Sequence, residues 1–271
     1  MNAINQMIDL TGKTVIVTGG SSGIGEGCVR VFAEANANVA FCARGRSRGE
    51  ELLNKLRSCG SGKHSFWVCD VSRHLEIEEM VNNVHKKYGR IDCLINNAGY
   101  HPPHNPIDAF SVEYFREIVD MNLTSAFAAC KYSLPYIREA HGAIINIGSL
   151  VGSVGQEWAS VYCATKAGIV GLTKALAIDE ARYNVRVNVV LPGNIVTDNR
   201  KKFVSESTDP EGLDKLIDSW QWAARSGEIE ETGRVCLFLA SDLSSYMTGC
   251  ELILSGGTEL GYGVKHPPMF N

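Results

Sequence analysis

A chain of 271 residues, 45% hydrophobic and 21% charged, has the make-up of a soluble globular protein near the upper size for one hydrophobic core. Its net charge of −4 and lack of any long basic run argue against a nucleic-acid partner. The start, Met1 to Asp9, lacks the charged head and apolar core of a signal peptide, and no apolar stretch approaches the ~20 residues of a membrane span, so a cytoplasmic protein without a membrane partner is expected.

The β-branched run Thr14–Val17 predicts a buried strand, and Thr18-Gly19-Gly20-Ser21-Ser22-Gly23-Ile24-Gly25 follows it directly. A helical pattern through Val29, Phe32 and Ala33 comes next. Glycines at 19, 23 and 25 permit a tight strand-to-helix turn that a ligand can approach closely. The helix N-terminus then offers free N–H groups and a positive dipole end to a pyrophosphate. The spacing differs from Gly-x-Gly-x-x-Gly, although the physical demands are the same. Further strand-like runs are expected at Val39–Cys42, Phe66–Cys69, Cys93–Asn96, Ala143–Ile147, Arg186–Val190 and Glu251–Leu254. Between them lie amphipathic patterns such as Ile77, Met80, Val81 and Val84, which are core residues. Strands alternating with helices predict an α/β protein, 1–271 as one domain. A parallel sheet of about seven strands would be covered by helices on both faces.

Ser149 stands just beyond the run Ala143–Ile147, thirteen residues before Tyr162, and Tyr162-Cys163-Ala164-Thr165-Lys166 places a phenol and an ammonium on one helical face. A phenol titrates near 10 in model peptides, and a nearby cation favours the phenolate. On the same helix Ala164, Gly168, Gly171 and Ala175 form a stripe of small residues suited to close packing within the chain or between subunits. The segment 197–228 is polar, carries Trp220 and Trp222 and shows no strand signal. The nine cysteines include no Cys-x-x-Cys, and neither they nor the seven histidines form a metal site, so free thiols acting as small hydrophobes and no metal are expected.

The chain resembles a short-chain dehydrogenase/reductase from end to end. The likeness rests on Thr18 to Gly25, Asp70, Asn96-Asn97-Ala98-Gly99, Asn122 within Met121-Asn122-Leu123, Tyr162-x-x-x-Lys166, and Pro192-Gly193 followed by Thr197. Among members of the family, segments such as Asn97 to Pro103, Ser149 to Gln156 and Gly256 to Gly263 look closest to the 17β-hydroxysteroid dehydrogenase type 14 branch. Tyr100 and Val196 depart from that branch, where a histidine and a tryptophan are expected.

The resemblance implies a Rossmann-type doubly wound fold and a nicotinamide dinucleotide held by Gly19, Ser21, Ser22, Gly23, Ile24, Gly25, Asp70, Val71, Asn97, Ala98, Gly99, Tyr162, Lys166, Pro192, Gly193, Ile195 and Thr197. It implies Tyr162 as proton donor or acceptor, with Lys166 lowering its pKa and binding the ribose. Ser149 would position the substrate oxygen, and Asn122 would hold a proton-relay water. Segment 197–228 becomes a substrate cover, and a homo-oligomer, dimer or tetramer, is expected. The substrate is expected to be a secondary alcohol or ketone, steroid-like or otherwise bulky and alicyclic. A sugar or a 3-oxoacyl substrate is the alternative, and a nucleotide-binding regulator is the non-enzyme reading. Tyr100, His101, Gln156, Trp158 and Tyr262 are the candidate lining.

Just past the second strand run, Val39–Cys42, the position where an NAD enzyme usually carries an acid is Ala43, and Arg44 follows. A guanidinium there suits a 2′-phosphate, which predicts NADP(H) over NAD(H). The type 14 branch carries an aspartate and uses NAD, which points the other way.

Overall fold

Strand and helix alternate throughout the computed structural model, which describes residues 7–261 and 265. The strands are β1 (Thr14–Thr18), β2 (Asn38–Ala43), β3 (Ser65–Val68), β4 (Cys93–Asn96), β5 (Ala143–Ile147), β6 (Arg186–Pro192) and β7 (Glu251–Leu254). They form one seven-stranded sheet in the order β3-β2-β1-β4-β5-β6-β7, every pair parallel. The chain winds outward from β1 to β3, then returns to start the other half at β4. The switch therefore falls between β1 and β4, paired at Val15↔Cys93 and Val17↔Ile95. In such sheets the crevice beyond the carboxyl ends at that switch receives ligands.

The helices are α1 (Gly23–Glu34), α2 (Arg46–Lys55), α3 (His74–Tyr88), α4 (Val112–Val119), α5 (Ser125–Ala140), α6 (Val151–Val154), α7 (Ser160–Glu180), α8 (Asp198–Ser205), α9 (Pro210–Ser219) and α10 (Ile229–Ala240). Alternating strand residues face two separate cores. Val15 and Val17 pack with Val29 and Phe32 of α1 and with Cys236 and Leu239 of α10. Ile16 packs on the opposite face with Ile77, Val81 and Val84 of α3 and Ile137 of α5. Each fully buried side chain of this size contributes about 1.5–3 kcal/mol, so both faces fix the register of β1.

The small-residue stripe on α7 divides. A Cβ at Gly168 would lie 2.8 Å from Leu123 Cδ2, whereas at Gly171 it would meet nothing within 4 Å. Gly168 therefore serves packing within the chain, and Gly171 lies open. The expectation about membrane-length segments needs correction here. Residues Ser160–Tyr183 form a 24-residue stretch with an 18-residue window of mean hydropathy 1.3, long and apolar enough to cross a membrane by length and composition. It includes buried Lys166, Thr173 and Glu180, and Arg138 of α5 grips Glu180 at 2.7 Å through two nitrogens. That is the behaviour of a core helix against a sheet. All nine cysteines are free, six of them buried, and Cys28 and Cys236 bring their sulfurs to 3.9 Å.

Candidate active site

The turn after β1 is locked by main-chain contact. Gly23 has φ +54°, in the left-handed region. A Cβ at Gly25 would sit 2.2 Å from the Gly19 carbonyl oxygen and 2.4 Å from Asn97 Nδ2, so any side chain would break the turn. Asn97, just past β4, donates through Nδ2 to the carbonyls of Thr18 and Gly19, both at 3.0 Å. Thr18 Oγ1 accepts from the main-chain N–H of Asn97 at 3.0 Å and of Ala98 at 3.1 Å. The asparagine is thus a clamp that holds the glycine turn to the neighbouring strand end. Ser22 caps α1 in extended conformation without a side-chain bond, leaving the first helical N–H groups to the cleft.

Beyond the turn opens a cleft of about 670 Å³, within the usual span of ligand sites. Its lining includes Gly19, Ser21, Ser22, Gly23, Ile24, Arg44, Val71, Asn97, Ala98, Gly99, Tyr100, His101, Ser149, Tyr162, Lys166, Pro192, Gly193 and Thr197. The glycine cradle, the bare helix end and the volume of the cleft fit a dinucleotide. Gly25 supports the turn from behind. Asp70 stands off the lining: its Oδ1 accepts from Ser72 N at 3.1 Å and Ser72 Oγ at 2.8 Å. Burial opposes ionisation of Asp70, but those bonds and the charges of Arg44 and Arg73 hold its carboxyl below the ordinary value. Ile195 is buried and bridges to Gly227.

At the other end, Tyr162 and Lys166 rise from α7 beneath the loop after β5. Lys166 is buried and donates from Nζ to the Ile147 carbonyl at 2.8 Å. Burial pulls its ammonium down from 10.5 to about 8. The phenol of Tyr162 is pushed up to about 12 by burial, opposed by its hydrogen bond with Ser149. Lys166 Nζ lies 5.7 Å from the tyrosine ring centre. In this state burial outweighs the cationic help that the sequence suggested.

Asn122 sits in a π-helical turn, Asp120–Thr124, where α4 passes into α5. The widened turn aims its carboxamide at the site. Oδ1 accepts from Tyr100 N at 2.7 Å, and Nδ2 donates to Tyr100 O at 2.9 Å and Thr165 Oγ1 at 3.1 Å. A Cβ at Gly99 would stand 3.3 Å from Asn122 Oδ1 and 3.6 Å from Lys166 Nζ, so these two groups share one corner.

His101 packs against Tyr162 with ring centres 4.1 Å apart and planes tilted by 38°, places Nδ1 2.7 Å from Pro102 O, and reaches Gln156 Oε1 from Nε2 at 3.2 Å. Gln156 thereby borders the site through His101. Trp158 does not join them. It occupies the turn before α7 with φ +57°, is 58% exposed, and accepts from Asn105 N through its carbonyl oxygen at 2.9 Å. Tyr262 lies outside the described residues. Residues that the sequence did not single out also line the cleft, among them Met121, Asp198 and Asn199. Asp198 pairs with Arg48, 150 residues away, at 3.4 Å. No local pattern could have joined them.

A family model described as enoyl-(acyl carrier protein) reductase matches residues 19–259. The L-fucose dehydrogenase of Bos taurus is 41% identical, over 94% of this chain and 92% of its own. The 3-oxoacyl-(acyl-carrier-protein) reductase FabG of Chlamydia pneumoniae is 38% identical, over 92% and 98%. Among solved structures, the aldohexose dehydrogenase of Thermoplasma acidophilum superposes with TM-score 0.85 at 30% identity, over 96% of this chain and 99% of that one.

Proposed function

The chain belongs to the short-chain dehydrogenase/reductase family, and on that premise we propose that it interconverts a sugar-like secondary alcohol and its carbonyl form with NADP(H). The convergence of Ser149, Tyr162 and Lys166 at one end of a cleft whose other end is a glycine cradle carries this reading. The nicotinamide, when bound, takes up or supplies the hydride. Tyr162 accepts the hydroxyl proton in oxidation and donates one in reduction. Ser149, already bonded to the phenol, positions the substrate oxygen and stabilises charge that develops on it. Lys166 contributes a buried positive charge that favours the phenolate, and Asn122 leads the corner it shares with Lys166 toward a relay water.

A sugar now stands ahead of a steroid. Relatives named for L-fucose and for an aldohexose support that order, as does the polar pair His101–Gln156 against Tyr162. The steroid branch and its bulky alicyclic substrate find no such support. A 3-oxoacyl substrate is the second reading, favoured by the FabG relative. For the cofactor, Arg44 enters the cleft where β2 ends, and that rim carries Ala43 instead of a carboxylate. The acid would repel a 2′-phosphate, and the guanidinium fits one. A homo-oligomer is supported by an apolar groove of Ile107, Phe110, Val112, Phe115, Val161 and Ala164 and by exposed Phe127.

The test is nicotinamide absorbance with purified protein, both nucleotides, and a panel of free aldoses, steroids and acyl thioesters. Turnover of aldoses, with kcat/KM higher for NADPH or NADP than for the unphosphorylated form and that preference lost in Arg44→Ala, is expected. Turnover of thioesters alone would replace the sugar reading with the oxoacyl one.

A further inference from the structure

We propose that Arg48 and Asp198 form a latch across the mouth of the cleft that slows the escape of the bound dinucleotide, an inference that rests on the nucleotide reading above. Arg48 belongs to α2, on the rim that follows β2; Asp198 opens α8, at the edge of the cover. Both line the cleft, and Nη1 meets Oδ2 at 3.4 Å. The neighbouring Thr197 stands beside the phosphate turn, since a Cβ at Gly23 would lie 3.3 Å from its Cγ2. The pair therefore spans two rims with the pyrophosphate cradle beside it.

The charges nearby favour this pairing. Arg46 is engaged with Glu50 at 3.0 Å, and Glu51 with Lys55 at 2.6 Å, so the acids of α2 have their own cations. Arg44 acts electrostatically on Asp70, which stands off the cleft lining. On the cover side, Arg200 of α8 holds Asp214 at 2.7 Å and Asp218 at 3.2 Å, and Asp218 in turn accepts from Ser226 N at 2.9 Å and Oγ at 2.6 Å. Helices α8 and α9 and the following turn are thus tied into one body. Opening that body away from the phosphate turn must break Arg48–Asp198.

Both side chains are well exposed, 68% and 59%, so the latch is weak by design of its surroundings and screened by salt. A modest kinetic effect follows. Dissociation of NADPH is read by stopped-flow loss of its fluorescence on chasing with excess NADP, a readout independent of turnover. Asp198→Asn and Arg48→Gln are each expected to raise the rate about threefold, and the double variant no more than either alone. The exchanged pair Arg48→Asp with Asp198→Arg is expected to return to within about twofold of the wild type. If Arg48 served only as a phosphate ligand, Asp198→Asn would free it and slow dissociation; that result, or an unchanged rate, would overturn the latch. A wild-type protein that binds neither nucleotide would instead overturn the function proposed above, and the latch with it.

Discussion

The glycine turn after β1 and the proposed cover, 197–228, border one cleft, yet they are built on opposite principles. The turn is held by main-chain contacts without slack: Gly25 against Gly19, Asn97 to two carbonyls, Thr18 to two N–H groups. The cover, 197–228, is held by Arg200 with Asp214 and Asp218 and by Arg225 with Glu231, and it exposes Phe203, Leu216 and Trp220. Close-packed backbone tolerates no added atom, while partly exposed ion pairs such as Arg225–Glu231 contribute little. Under the function proposed above, the rigid side receives the dinucleotide phosphates and the adaptable side the substrate.

The largest test of that division lies where the rigid side meets the chemistry. Tyr162→Phe removes one oxygen from a half-buried ring, so kcat should fall about 10²–10⁴-fold, with NADPH binding and the melting curve unchanged. Near-wild-type turnover would end the assignment. Next comes the turn. Gly25→Ala places a methyl 2.2 Å from a carbonyl oxygen, and overpacking of this kind costs about 1–3 kcal/mol. Loss of nucleotide binding in titration, with Tm lowered by several degrees, is expected; tight NADPH binding by this variant would show that the turn has slack after all.

Lys166 probes the junction through pH. Unfolded, its ammonium persists to 10.5, but folded only to about 8. Below pH 8 both states are protonated, and the folded state bears the full penalty of the buried charge. Between pH 8 and 10.5 the unfolded chain binds more protons, so this contribution to stability rises with pH. Lys166→Met should therefore be more stable than the wild type below pH 8, by up to about 3 kcal/mol, with the gap closing toward pH 10.5. Denaturant midpoints across that range would measure it, and a gap that widens with pH would contradict it. The smallest effect belongs to the cover. Arg225→Ala, which removes the exposed partner of Glu231, should leave global stability nearly unchanged while hydrogen exchange speeds up around 225–231 alone. Equal acceleration in the turn would erase the distinction between the two sides.

Much of this molecule was legible before any coordinates. Each of the seven strands lay within two residues of its expected run at either end, because buried parallel strands need unbroken apolar stretches and glycine or polar punctuation between them. Ser149, Tyr162, Lys166 and the glycine turn were legible for a related reason: each sits at a fixed offset from a strand end or helix turn. The stripe on α7 was read only in part, since spacing reports that residues are small but not which neighbour approaches them. Gly168 met Leu123, and Gly171 met nothing.

What the sequence determined by itself was local: periodicity, turns that demand glycine, a phenol and an amine one helical turn apart. What the tertiary structure decided was long-range. It lowered Lys166 and raised Tyr162 by burying both, carried Trp158 away from the cleft, and brought Asp198 to Arg48 across 150 residues. Burial and charge pairing depend on elements far apart in the chain, and no pattern of neighbouring residues encodes which of them will meet.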